Sequence, residues 1–355
     1  MSVIIQKNIS LAELTTLKIG GQARFFVSAK SEIEIVEALN FAEHNNLETF
    51  ILGGGSNVLI ADTGYDGLVL QVALKGTSTF SEKDETVCVT VGAGEDWDAF
   101  CEFCVEKNLQ GVECLSGIPG FVGGTPVQNV GAYGQEVSET IAAVKCCDRK
   151  SKEFVELTNA ECKFAYRTSI FNKTEKNRYV VTAVTFALTS GGEPKIVYRD
   201  LKNYFGDARP SLEQTRRAVL KIRAEKSMVI DAEDPNSQSA GSFFKNPIIA
   251  KEKYAKIENQ AKRLGLQSVP SFEFDEKKVK VPAAWLIENS GFYKGFEYGR
   301  VGLSTKHALA IVNRGGATAK DILDLKKKIQ SKVKERFNVE LKPEPIFVGF
   351  TEREI

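Results

Sequence analysis

Residues 116–136, SGIPGFVGGTPVQNVGAYGQE, constrain this chain more than any other stretch. They carry Gly117, Gly120, Gly123, Gly124, Gly131 and Gly134, spaced too irregularly for a repeat and too densely for an ordinary strand or helix. Glycine costs conformational entropy wherever it is ordered, so this density makes sense where the backbone takes positive φ or lies very close to something flat or charged. The stretch reads as a cofactor seat or as a loop whose glycines only make turns.

A second glycine cluster lies at 49–60, TFILGGGSNVLI, where a strand pattern runs into Gly53, Gly54, Gly55, Ser56 and Asn57. A phosphate loop of the Walker or dinucleotide type opens a helix after its glycines, but Val58, Leu59 and Ile60 are strand formers, so neither type is present. Successive N–H groups of such a turn can still form a nest for a pyrophosphate, with Ser56 and Asn57 adding donors. A plain tight turn accounts for the same residues.

Whatever anion binds must be held locally. Lysine plus arginine numbers 47 against 46 for aspartate plus glutamate, leaving +1 on 355 residues. No global field favours nucleic acid or an anionic membrane surface. The start, MSVIIQKNIS, lacks a signal-peptide core, and no later apolar run is long enough to span a bilayer, so a cytoplasmic location is expected. Seven cysteines, an odd number without a secretory signal, argue for reduced thiols. Cys101 and Cys104 form a C-x-x-C without a second pair, and His44 and His307 are the only histidines. No metal site is expected; with Trp97 and Phe100 the two cysteines share one face of a helix and read as core.

Capping and periodicity place the remaining elements. Ser31 and Glu34 resemble a capping box that starts a helix running to about His44. Residues 68–91 read as strands and 97–108 as an amphipathic helix. Residues 144–148, 154–157 and 179–188 read as strands of an α+β domain. Within 162–171, CKFAYRTSIF, Arg167 sits among aromatic and small residues, either paired in a supporting bridge or presented to an anion. Residues 214–226 have helical spacing, and most of the cations Arg216, Arg217, Lys221, Arg223 and Lys226 should face solvent. In 240–247, AGSFFKNP, two phenylalanines that can pack leave Ser242, Lys245 and Asn246 as polar groups beside a glycine. Helices are expected over 248–264 and 283–289, a buried strand over 307–313, and a helix capped by Thr318 and Asp321. Glu344, between Pro343 and Pro345, has a stiff backbone that suits either a positioned side chain or an exposed turn.

Taken in order, ILGGGSNVLI, SGIPGFVGGTPVQNVGAYGQE, FAYRTSIF, SAGSFFKNP, AAWLIENSG, HALAIVN and LKPEPIFVG resemble the UDP-N-acetylenolpyruvoylglucosamine reductase family over nearly the whole chain. Residues 198–226 resemble its subgroup with a tyrosine-bearing substrate loop. The resemblance implies an α+β fold, with a two-subdomain FAD-binding unit of the vanillyl-alcohol-oxidase type and a smaller α+β substrate-binding domain. The expected division is 1–75, to which 339–355 returns, then 76–225, then the substrate domain 226–338.

The implied reaction reduces an enolpyruvyl ether. NADPH is the reductant and FAD the carrier; hydride reaches C3, and negative charge builds at C2 and in the adjacent carboxylate. Arg167 matches the family's catalytic arginine, beside that carboxylate. Glu344 matches the catalytic glutamate, with a raised pKa expected if it is buried, and Ser242 matches the proton donor to C2. FAD contacts are implied at Gly53, Gly54, Gly55, Ser56, Asn57, Gly117, Ile118, Pro119, Gly120, Gly123, Gly124, Gln128, Asn129, Gly131, Ala132, Tyr133 and Arg223. Substrate contacts are implied at Tyr166, Tyr198, Lys226, Lys245 and Asn246. Neither histidine lies in a glycine stretch, so the FAD should be noncovalent. In the absence of G-x-G-x-x-G, NADPH and the UDP-sugar should use one cleft by turns, in a chain expected to be monomeric. Where the family usually has a basic residue two positions after the glutamate, this chain has Ile346. An oxygen-using flavin oxidase and a flavin or nucleotide-sugar binding module without turnover are the rival readings.

Overall fold

The computed structural model describes residues 3–81, 85–266 and 268–355. The chain divides into two compact units. The first comprises Met1–Ile9, Ala23–Gly55 and Tyr65–Val229, the second Ser10–Gln22, Ser56–Gly64 and Ile230–Ile355.

Among the described residues the first unit holds two large sheets and a small two-stranded one, Gly131–Ala132 with Gln135–Glu136. One orders its strands Gln6–Ser10, Gln22–Ala29, Tyr65–Val72, Thr49–Leu52, and the last three run parallel. Parallel neighbours need a crossover, and the helix Glu32–His44 provides it, burying Ile35, Ala38, Leu39 and Ala42. The Ser31 hydroxyl accepts from Glu34 N–H at 3.2 Å, as a cap should, but the Glu34 carboxylate reaches back to Lys30 N–H at 2.6 Å, not to Ser31. The second sheet is antiparallel and built on the long strand Tyr179–Ser190, which pairs with Ile141–Asp148, Thr86–Gly92 and Leu109–Gln110. The helix Trp97–Glu106 packs against it, Phe100 lying 4.8 Å and Trp97 5.8 Å from the Phe186 ring. Cys101 and Cys104 are fully buried there, as their helical face predicts, and all seven cysteines are buried.

The second unit is assembled from distant pieces of chain. Its closing strand Ile346–Val348 pairs in parallel with Val58–Ile60, the strand that follows the GGGSN turn. The helix Ala319–Phe337 begins with a full capping box between Thr318 and Asp321 and buries Ile322, Leu325, Ile329, Val333 and Phe337 on one stripe. Phe243 and Phe244 join the same core, at 0% and 1% exposure, so the two phenylalanines do fix their segment.

Three expectations are corrected. Residues 248–250 are not helical: Ile248–Ala250 is a strand paired with Lys278–Lys280, and the helix starts at Lys251. Only Ile311–Asn313 of the 307–313 run is strand, because Ser304 Oγ accepts from the N–H groups of Lys306 and His307 and holds the preceding residues in a turn. On the helix Leu212–Glu225, Arg217 and Lys221 face solvent, but Arg216 and Arg223 are buried.

Candidate active site

The two glycine clusters meet in the first unit. A Cβ on Gly54 would stand 2.7 Å from Gly120 Cα and 3.0 Å from Phe121 N, so only glycine lets the GGG turn lie against the 116–136 stretch. Gly53 and Gly124 are different. A Cβ on either would find no neighbour within 4 Å, and neither has φ in the left-handed region. Nothing among the described residues asks for glycine there, and a bare backbone of this kind fits a cofactor lying in contact with it.

The stretch is held from beneath. Asp98 Oδ1 accepts from Gly117 N–H at 2.5 Å, and its two oxygens take Arg216 at 2.5 and 3.0 Å. Burial pushes the Asp98 carboxyl up, but the bonds from Arg216 and Gly117 outweigh it and the net shift is downward. Asn129 is 1% exposed; its Nδ2 donates to Glu136 Oε2 at 2.7 Å and to the Ala165 carbonyl at 3.2 Å, and its Oδ1 accepts from Ser138 N–H at 3.1 Å. Its side chain thus supports the loop. Ile118 and Ala132 pack on the core, and Pro119, Gln128 and Gly131 are half-buried in the same stretch.

Arg167 is brought to this loop by its own turn. Ala165 and Thr168 exchange N–H···O=C bonds of 2.9 and 3.0 Å, leaving Tyr166 and Arg167 at the corner. Arg167 has φ +54°, a left-handed conformation that a non-glycine residue adopts at a cost, and such strain clusters at functional positions. Ser169 Oγ donates to the Val127 carbonyl at 2.7 Å, tying the turn to the glycine stretch alongside Asn129.

A third group gathers Tyr133, Tyr198, Arg223 and Lys226. The rings of Tyr133 and Tyr198 meet edge to face at 5.5 Å, and Lys226 Nζ lies 5.6 Å from the Tyr133 ring centroid. Lys226 is also 2.6 Å from Asp200 Oδ2. Arg223 is 8% exposed, donates to the Met228 carbonyl at 2.6 Å, and packs on the bare face of Gly117. Its guanidinium also bonds the Tyr133 side chain, its buried Nε makes no bond among the described residues, and burial lowers its pKa. A buried donor left open beside the glycine stretch fits an acceptor atom of a cofactor.

The second unit places Ser242 and Glu344 on adjoining segments. Glu344 N–H donates to the Phe243 carbonyl and Lys245 N–H to the Lys342 carbonyl, both at 2.9 Å, around an antiparallel bridge between Phe244 and Pro343. Proline suits that bridge position, whose N–H is not used. Asn57, from the GGGSN turn, joins them: its carbonyl accepts from Ile346 N–H at 3.0 Å and its Nδ2 approaches the Glu344 carbonyl at 3.5 Å. Thr16 Oγ1 reaches both the Ser56 carbonyl at 3.5 Å and the Ser239 carbonyl at 2.7 Å. Asn246 Oδ1 accepts from Ala283 N–H at 2.9 Å, capping a helix whose N-cap, Pro282, has no donor or acceptor side chain. Glu344 is half-buried, and the Ile346 side chain is 42% exposed.

The predicted residues therefore fall into two sets. Gly53–Gly55, the 116–136 residues, Tyr166, Arg167, Tyr198, Arg223 and Lys226 belong to the first unit; Ser56, Asn57, Ser242, Lys245, Asn246 and Glu344 belong to the second. Sequence reasoning missed Asp98, whose role depends on a residue 118 positions away, and His307, whose Nε2 lies 3.2 Å from Ser242 Oγ. A histidine in a chain with only two was the available signal.

Family models match most of this chain: an FAD binding domain over residues 23–156 and the UDP-N-acetylenolpyruvoylglucosamine reductase C-terminal domain over 234–348. The chain is 43% identical to the UDP-N-acetylenolpyruvoylglucosamine reductase of Thermobifida fusca, over 99% of its own length and 100% of the relative's. It is 43% identical to that of Streptomyces coelicolor, over 96% and 89%. The crystal structure of the Thermus caldophilus reductase superposes with a TM-score of 0.67 at 24% identity, covering 98% of this chain and 99% of that one, and so shares its fold.

Proposed function

The chain belongs to the UDP-N-acetylenolpyruvoylglucosamine reductase family, and we propose how its own residues divide that family's reaction among them. It is an FAD-dependent oxidoreductase that reduces UDP-N-acetylglucosamine enolpyruvate to UDP-N-acetylmuramate with NADPH, in peptidoglycan precursor synthesis. Bound FAD supplies the hydride, taken from NADPH, that reaches C3 of the enol ether. The bare backbone at Gly53 and Gly124 and the open Nε of Arg223 hold that cofactor without a covalent tether.

Arg167 faces the substrate carboxylate, where charge develops as C3 is reduced. A guanidinium pairs with a carboxylate through two parallel N–H bonds, and its charge counts for most where negative charge grows in the transition state. Glu344 holds the same carboxylate, or a group next to it, by a hydrogen bond. Ser242 gives its hydroxyl proton to C2. The observation that supports this assignment is the pairing of 243–245 with 342–344, which joins the segment that carries Glu344 to the one that follows Ser242 on a stiff, proline-flanked backbone.

Tyr198, Lys226 and Asn246 bind the nucleotide and diphosphate, with Tyr166 and Lys245 as further substrate contacts; Asp200 steadies Lys226 in a chain whose net charge supplies no general attraction. The Tyr198 segment is the tyrosine-bearing loop of the family's subgroup. NADPH and the UDP-sugar occupy one site by turns, so kinetics are ping-pong with inhibition by excess substrate; an equilibrium ternary complex of the two would refute this. The protein works as a cytoplasmic monomer, with 226–338 as the substrate-binding part. Among the described residues no helix is long and apolar enough to cross a membrane.

The test is Ser242→Ala followed in half-reactions. Reoxidation of reduced flavin by the enol ether should slow by roughly 10²-fold or more, the scale of a lost general acid, while reduction by NADPH continues at the wild-type rate. Equal losses in both halves would remove Ser242 from the proton-donor role.

A further inference from the structure

Resting on Ser242 as proton donor, we propose that His307 is the positioning residue that makes the Ser242 hydroxyl acidic and restores its proton after each turnover. An unassisted alcohol is a poor acid near neutral pH. Ser242 needs a neighbour that stabilises its alkoxide and then refills it, and in the second unit His307 Nε2 stands 3.2 Å from Ser242 Oγ.

The pair is built by two segments that are themselves tied together. Gly241, at φ +68°, turns the chain into Ser242, and its N–H donates to Ser239 Oγ at 3.2 Å. Phe243 N–H then donates to the Leu309 carbonyl at 2.8 Å, binding this segment to the loop that carries the histidine. On that loop the fully buried Ser304 accepts from Lys306 and His307 N–H groups at 3.1 and 3.3 Å, and the His307 carbonyl accepts from Ala310 N–H at 3.1 Å. The imidazole is therefore presented from a fixed turn. That turn is also what breaks the strand expected over 307–310.

The proton balance closes without any further reactant. The Oγ–H bond of Ser242 breaks as the C2–H bond forms at the electron pair of the enolate carbon. The Nε2–H bond of the imidazolium breaks as the Oγ–H bond is restored, leaving neutral imidazole with its proton on Nδ1. Solvent then returns a proton to Nε2, so each turnover consumes the one proton that reduction of the enol ether by NADPH requires. Histidine suits this because its unperturbed pKa allows both forms near neutrality, and a charged donor makes a stronger bond to the developing alkoxide than a neutral one.

Other charged groups lie on the segments packed around the pair: Lys306 on the same loop, Asp234 paired with it at 3.3 Å, and Lys245 and Glu344 on the strands joined at Phe244 and Pro343. A kinetic pH profile alone would mix their titrations with that of His307. The imidazole has to be observed directly, and the chain makes this simple because its only other histidine is the exposed His44, which bonds to the Asn40 carbonyl at 2.7 Å.

Holoenzyme labelled with isotopic histidine should give two imidazole signals, one for each histidine. Ser242→Ala should shift the titration and tautomer signature of His307 and leave His44 unchanged. In wild-type enzyme, reoxidation of reduced flavin by the enol ether should slow on the alkaline side, with a midpoint equal to that of the His307 signal. His307→Gln should lose that limb and reoxidise roughly 10²-fold more slowly than wild type at its plateau. Should that variant not fold, agreement or disagreement between the wild-type kinetic and spectroscopic midpoints makes the same decision. A slowed Ser242→Ala beside a His307→Gln that keeps the alkaline limb would overturn this inference alone. An unslowed Ser242→Ala would overturn the proton-donor reading and this inference with it.

Discussion

Alanine at Gly53 or Gly124 separates a glycine kept for a ligand from a glycine kept for the fold. At both positions a Cβ meets no atom within 4 Å and the backbone is not left-handed, so the apoprotein should tolerate alanine. Restricting the unfolded chain at such sites stabilises by about 0.4–1 kcal/mol. With FAD against that backbone the added methyl group acts as overpacking, which costs about 1–3 kcal/mol. That range corresponds to FAD binding weakened by roughly 5- to 150-fold. Gly54→Ala should behave oppositely: its Cβ stands 2.7 Å from Gly120 Cα, so the apoprotein itself should lose about 1–3 kcal/mol. Thermal unfolding of the three apoproteins, and titration of each with FAD by quenching of flavin fluorescence, measure the two quantities separately. If Gly53→Ala and Gly124→Ala bind FAD like wild type, the glycines only make turns and the cofactor lies elsewhere.

The supports of the site carry further predictions. The Asp98 carboxyl is held below its ordinary value despite its burial, so its stabilising contribution is complete above about pH 4 and is lost as the pH falls through the lower folded value. Asp98→Asn, partly screened by solvent, should therefore cost about 1–2 kcal/mol at neutral pH and flatten the acid limb of a stability-versus-pH curve; an unchanged acid limb would disprove the anchor. Arg167→Gly should abolish turnover while leaving thermal stability equal or raised by about 1 kcal/mol, because it relieves the left-handed backbone at φ +54°. A clear loss of stability would show that the arginine supports the fold instead. Burial pushes the Cys162 thiol up to about 12 and raises those of Cys101, Cys104, Cys114, Cys146 and Cys147. A thiol reagent should accordingly modify none of the seven cysteines in the folded protein at neutral pH and all of them on unfolding; rapid labelling before unfolding would contradict this.

Local chemistry was legible where local rules decide the outcome. Ser31 and Thr318 start their helices as their side chains predict, and Phe243 and Phe244 bury as a pair. The density of glycine singled out the stretch on which the GGG turn packs, although composition could not tell Gly54, which that packing needs, from Gly53, which it does not. Failures came where tertiary contacts override a local pattern. Residues 248–250 leave the expected helix because Lys278–Lys280 offers them a strand partner, and Arg216 leaves the solvated face because Asp98 receives it. The pairing of Phe243 with Glu344 and the approach of Ser242 to His307 join residues 101 and 65 positions apart, which no periodicity encodes.

The enol ether itself takes the reducing equivalents from the flavin. Under strictly anaerobic conditions, NADPH should bleach the visible absorbance of the holoenzyme, and UDP-N-acetylglucosamine enolpyruvate added afterwards should restore it in one rapid phase as UDP-N-acetylmuramate forms. A flavin that stays bleached with the enol ether and recovers only when oxygen is admitted would contradict this and mark the protein as an oxidase of another substrate.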